Sequence, residues 1–161
     1  MNIQKSEHTK AYVIFSPQAD LPWLKVLKVG FRHCAIIMND GQHWLTIDPL
    51  SNYTEILVHD MPADFDLPAW MRRRGHMVVE AEISKPCKTA PIGVFSCVEA
   101  VKRVLGIHNR FVITPYQLYR YLMRANEAKA KKSSAYEHQN NGLNTIDYSN
   151  LFTQGALQWE A

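Results

Sequence analysis

The chain has 161 residues and a mass of 18.5 kDa, room for one domain and a tail rather than two domains. Apolar residues make up 47% and charged residues 20%, so a core can be buried and a disordered or fibrous chain is excluded. Lys plus Arg number 18 against 15 for Asp plus Glu, a surplus too small to make nucleic acid the expected partner.

The opening MNIQKSEHTK carries no apolar run of signal-peptide length, and no later stretch approaches the roughly 18 apolar residues of a membrane span. A soluble, cytoplasmic protein without membrane contact is expected. Residues 11–15 (AYVIF) read as a strand stopped by Ser16 and Pro17. Residues 21–29 (LPWLKVLKV) set Trp23, Leu24 and Leu27 at helical spacing yet alternate near their end, which leaves helix and strand both open. Residues 31–38 and 42–50 flank Asn39, Asp40 and Gly41, and Asp-Gly supplies the positive φ that a tight primed turn needs, so a β-hairpin is expected. Residues 54–59 (TEILVH) and 77–83 (MVVEAEI) are further strands. Between them lies a segment holding Pro62, Pro68 and the run Arg72, Arg73, Arg74, Gly75; Arg72 to Arg74 read as a solvated loop, with an anionic-substrate role as the minority reading.

Beyond the last strand the composition shifts from β-branched to helix-forming. Ser96 and Glu99 fit a capping box that starts a helix at Cys97, with Val98, Val101 and Leu105 as its apolar stripe and Gly106 as its end. Thr114 and Gln117 form a second box with Pro115 at the first helical position, and Leu118, Tyr119, Leu122 and Met123 supply one apolar face. From Asn126 the chain turns polar, with Lys129, Lys131 and Lys132 close together, before residues 148–159 (YSNLFTQGALQW) become apolar and aromatic again. The expected organisation is a domain over residues 1–125 and a polar tail over 126–161. The terminal motif of that tail, with Leu151, Phe152, Leu157 and Trp159, suits docking on the domain or on a protein partner.

Cys34, Cys87 and Cys97 are an odd set without CxxC spacing, which favours reduced thiols over a disulfide framework or a zinc site. In a hairpin with Asp40 and Gly41 as its two-residue loop, His33 lies directly opposite Asp48, so the carboxylate can orient the imidazole. Ala35 and Thr46 share that face, while Cys34, Ile36 and Ile47 point to the other. Cys97 at a helix start is favoured as thiolate by unpaired amides and the positive end of the helix dipole. The three residues together are a candidate nucleophile, base and orienting carboxylate, and the Cys97 amide is a candidate oxyanion donor. Taken singly, each has a blander reading: a small core cysteine, a satisfied core histidine, a turn-forming Asp before Pro49.

FRHC on one strand, TIDP on the next and FSCVEAVKRVLG opening a helix resemble the papain-like cysteine peptidase and amidase superfamily in its circularly permuted form. Permuted NlpC-like enzymes and lecithin–retinol acyltransferase-like proteins share this order, with the histidine ahead of the cysteine helix. The elements read above make an α+β domain in which an antiparallel sheet of four to five strands packs on two or three helices. The resemblance implies acyl transfer or hydrolysis at an amide, ester or thioester carbonyl, with Cys97 as nucleophile, His33 as base and Asp48 as third polar residue. No glutamine precedes Cys97 at the spacing of papain's oxyanion donor, and no second histidine stands at the acyltransferase spacing, His43 falling on the opposite face.

Cys87, between Lys85, Pro86 and Lys88, reads as an exposed loop thiol. A zinc site from His33, Cys34, His43 and Cys97 is disfavoured because His33 and Cys34 face opposite ways, so neither metal nor cofactor is called for. The expected function is a cysteine hydrolase acting on an amide bond of a peptide or cell-wall type. The alternative is an assembly protein, such as a component of a phage particle, that keeps the scaffold and docks through residues 126–161.

Overall fold

A computed structural model describes residues 10–18, 22–84 and 94–143. The apolar motif at residues 148–159 and the Cys87 segment lie outside the described residues. The fold is α+β. Strands β1 (Lys10–Ser16), β2 (His33–Asn39), β3 (Trp44–Pro49), β4 (Thr54–His59) and β5 (Met77–Ala81) form one antiparallel sheet in the order β4-β3-β2-β1-β5. Among the described residues the helices are α1 (Leu67–Arg73), α2 (Cys97–Leu105) and α3 (Pro115–Leu143), and the ambiguous stretch after Pro17 contains a short 3-10 helix, Pro22–Val26.

Side-chain alternation along β1 and β2 explains the layering. Ala11, Val13, Phe15, Cys34 and Ile36 face α2 and α3 and pack against Val98, Val101, Leu105 and Leu118. Ile14 and Ile37 face the other way, joining Trp44 and Val78 beneath Leu67 of α1. The central strands are therefore apolar on both faces, as AYVIF and CAIIM require.

Helix α1 corrects the reading of Arg72 to Arg74 as a loop, although all three are exposed. Asp66 caps it, accepting from the Ala69 amide at 2.9 Å, and Pro68 sits in the first turn. A proline there interrupts nothing, since first-turn amides have no intrahelical partner. Arg72 and Arg73 are its last turn.

The hairpin register also differs from the expected one. Asn39 pairs with Trp44 and Ile37 with Thr46, so Asp40, Gly41, Gln42 and His43 all belong to the connection. The Asp40 carboxylate accepts from the amides of Gln42 at 2.8 Å and His43 at 2.7 Å, while Gly41 takes the positive φ of 94°. A turn built on an aspartate side chain has replaced the two-residue primed turn. The strands are displaced by two residues from the expected pairing, and a shift of two keeps every side chain on its original face.

Both helix starts are capped. Ser96 Oγ accepts from the Glu99 amide at 3.2 Å, but the Glu99 carboxylate turns to Lys102 at 2.8 Å and Arg103 at 3.1 Å instead of returning to the cap. At α3 the box closes fully: Gln117 donates its amide to Thr114 Oγ1 at 3.3 Å, and its Oε1 accepts from the Thr114 amide at 3.0 Å. Phe31, just ahead of β2, packs tilted against Tyr119 and edge-on against Tyr116 with centroids 4.8 and 5.2 Å away, which anchors the entry to β2 on α3. Helix α3 continues to Leu143, so the segment expected as tail begins as helix. The chain divides into two compact units, Met1–Asn126 and Glu127–Ala161. Among the described residues no helix is long and apolar enough to cross a membrane.

Candidate active site

His33 opens β2 and Asp48 lies near the end of β3, on the sheet face that carries α1. Extending the pairing sets Ala35 opposite Asp48, so the His33–Asp48 contact is diagonal rather than direct. The small Ala35 leaves the diagonal clear, and His33 Nε2 meets Asp48 Oδ1 at 2.5 Å. With Nε2 held there, Nδ1 is the nitrogen left for a second partner.

Cys97 interacts with the same ring. It opens α2 and packs against the core cluster that holds Cys34, where it interacts electrostatically with the His33 ring and with the Cys34 thiol and amide. The docking of Val98 and Val101, both essentially inaccessible, fixes the height of the helix start above the sheet. Cys97 itself is half-buried, and the His33 and Asp48 side chains keep 19% and 29% of their exposure, so the group is sheltered but reachable.

The electrostatics follow from these contacts. The Cys34 thiol donating to Cys97 draws the Cys97 thiol down and burial pushes it up; the hydrogen bond and charge of His33, with the Cys34 amide, bring it to about 5. Burial alone lowers the His33 imidazole, but its bonds to Asp48 and Cys97 and their negative charges outweigh that and push it up to about 10. A thiolate and an imidazolium therefore face each other across neutral pH. Cys34 is held as a thiol, since the bond it gives Cys97, its burial and the charges of Cys97 and Asp48 all push it up.

Cys97, His33 and Asp48 are brought together by three elements of the first unit. Cys34 joins them, although it points to the α2 face as expected. The opposite facing of His33 and Cys34 does not separate them at Cys97, because the sulfur sits at the strand's end within reach of both sides. His43 belongs to the connecting loop. Among the described residues no group of three or more His, Cys, Asp or Glu side chains is arranged to hold a metal ion.

A cleft of about 250 Å³ opens beside His33 and Asp48, with Ser16, Gln18, Met71 and His76 among its lining. His76 Nδ1 is buried there without a hydrogen-bond partner. These residues were not assembled from the sequence, because α1, which carries Met71 and leads to His76, was hidden by Pro68 within it and Pro62 ahead of it. The signal was present in Asp66 followed by Pro68. Comparison with family models, curated proteins and solved structures found no match.

Proposed function

We propose that the protein is a cysteine hydrolase of the circularly permuted papain-like kind, cleaving an amide bond of peptide or cell-wall type through an acyl-enzyme on Cys97. The observation that carries this reading is the His33–Asp48 hydrogen bond beside Cys97 at a helix start, with the imidazole and the thiol interacting electrostatically. The order of elements supports the permuted kind: the histidine strand and carboxylate strand come before the cysteine helix in the chain.

The Cys97 thiolate adds to the carbonyl carbon, and the oxygen takes the negative charge. The Cys97 amide, at the first helical position and so without an intrahelical acceptor, is the donor assigned to that oxygen. His33 gives its Nδ1 proton to the leaving amine as the carbon–nitrogen bond breaks, leaving a thioester. The neutral ring then takes a proton from water, the hydroxide displaces the sulfur, and acid product leaves with the ion pair restored. Asp48 holds ring orientation and tautomer throughout.

Iodoacetamide labelling of the full chain near neutral pH tests the site. Cys97 is expected to react at least roughly tenfold faster than Cys87, and His33→Ala to move its reactivity to higher pH. Cys97→Ser is expected to abolish acyl transfer from an activated ester. Equal rates at the two cysteines together with no effect of His33→Ala would overturn the reading.

A further inference from the structure

Cys34 is a thiol that takes no covalent part in the hydrolytic mechanism. It is fully buried in the core cluster against which Cys97 packs, so the start of β2 and the first turn of α2 bring the two thiols into one packed group, where they interact. A cysteine in such a core position ordinarily behaves as a small apolar filler, for which alanine or valine serves as well. This one is adjacent to an accessible thiolate, and the two sulfurs are held by a strand start and a helix start that face each other. That is the arrangement in which an oxidised sulfur finds a second thiol before solvent or further oxidant reaches it.

We propose that Cys34 is the resolving thiol for Cys97, so that oxidation by a hydroperoxide closes a reversible Cys34–Cys97 disulfide which switches the nucleophile off and protects it. With hydrogen peroxide the Cys97 thiolate attacks one oxygen, the O–O bond breaks, and Cys97 sulfenic acid forms with release of hydroxide. The Cys34 sulfur then displaces hydroxide from the sulfenic sulfur and loses its proton, forming the S–S bond and one water. The two electrons lost by the pair of thiols are those that reduce the peroxide. Dithiol reductant reverses the process by thiol–disulfide exchange. Because Cys34 is buried, it has no access to peroxide on its own, which assigns the order of events: Cys97 is oxidised first and Cys34 second.

The inference rests on the reading of Cys97 as an activated nucleophile, and the experiment separates the two. Full-length protein and a Cys87→Ser version are treated with a small excess of hydrogen peroxide, blocked with N-ethylmaleimide and mapped by peptide mass spectrometry. The expected result is one Cys34–Cys97 crosslink in both, with loss of two hydrogens, at least a tenfold fall in iodoacetamide labelling of Cys97, and full recovery in dithiothreitol. Cys34→Ala is expected to accumulate dimedone-reactive sulfenic acid at Cys97 and then lose labelling irreversibly. Should that variant fail to fold, the crosslink map of the Cys87→Ser protein decides alone. Selective alkylation of Cys97 without the crosslink, or a crosslink that runs through Cys87, overturns the role of Cys34 and leaves the hydrolase reading standing. Absence of selective reaction at Cys97 overturns both.

Discussion

At the scale of single residues, the chemistry depends on how a charge pair is divided between Cys97 and His33. The pair exists as thiolate and imidazolium between about 5, where Cys97 takes up its proton, and about 10, where His33 gives its own away. Hydrolysis of an activated ester is expected to rise with pH through the lower value, hold through neutrality and fall through the upper one. Asp48→Asn keeps a hydrogen-bond acceptor at 2.5 Å but removes the negative charge that favours the imidazolium. The alkaline limb should move to lower pH and the plateau rate fall about 10- to 100-fold, since the substitution weakens proton transfer without removing the sulfur. An unchanged alkaline limb would deny Asp48 its role. Facing parity made His33 and Asp48 readable as neighbours from the sequence, because alternation survives a two-residue slide of register. Cys34 escaped the same logic: parity sends it to the far face, and nothing local says that Cys97 lies at the strand's end where facing no longer separates neighbours.

At the scale of elements, α2 is positioned by its two ends. Ser96 secures the start, and at the other end Gly106 takes φ 70° while the Ser84 amide donates to the Leu105 carbonyl at 3.0 Å. A Cβ at Gly106 would lie 2.1 Å from the Ser84 carbonyl oxygen, and the left-handed backbone is unfavourable for any L side chain. Gly106→Ala is therefore expected to destabilise the fold by about 2 kcal/mol or more, read as a lower urea midpoint at constant slope. A midpoint within error of the parent would show that the junction between the exit of β5 and α2 yields easily. The caps of α2 and α3 were legible because a hydroxyl followed three residues later by Glu or Gln is a local signal. Helix α1 was not, since Pro62 and Pro68 read as breakers unless the Asp66 cap is recognised first. The hairpin connection likewise depended on whether the aspartate side chain or the glycine backbone governs the turn, a choice that packing of the strands decides.

At the scale of the whole molecule, the site couples ionisation to folding. Cys97 has its folded value depressed from 9.0, so its contribution to stability is complete above 9.0 and disappears as pH falls through about 5. His33 has its folded value raised from 6.5, so its contribution is complete below 6.5 and disappears as pH rises through about 10. Between 6.5 and 9.0 the folded and unfolded chains hold the same number of protons on this pair, and the two slopes cancel. Thermal midpoints are expected to show a plateau over that interval and to fall on either side of it. Cys97→Ala, which leaves His33 without its thiolate, should lose the plateau; a variant with the parent profile would place the pH dependence elsewhere. The two-sided core was foreshadowed by runs such as AYVIF and CAIIM, too apolar for a sheet with one wet face, although the partner on the second side could not be named without α1. His33 and Cys34 are consecutive residues hanging on opposite sides of one strand, and both hold the same sulfur. Neither face of the sheet can therefore loosen beside β2 without detuning the nucleophile: rigidity above and below the sheet is a single inherited requirement.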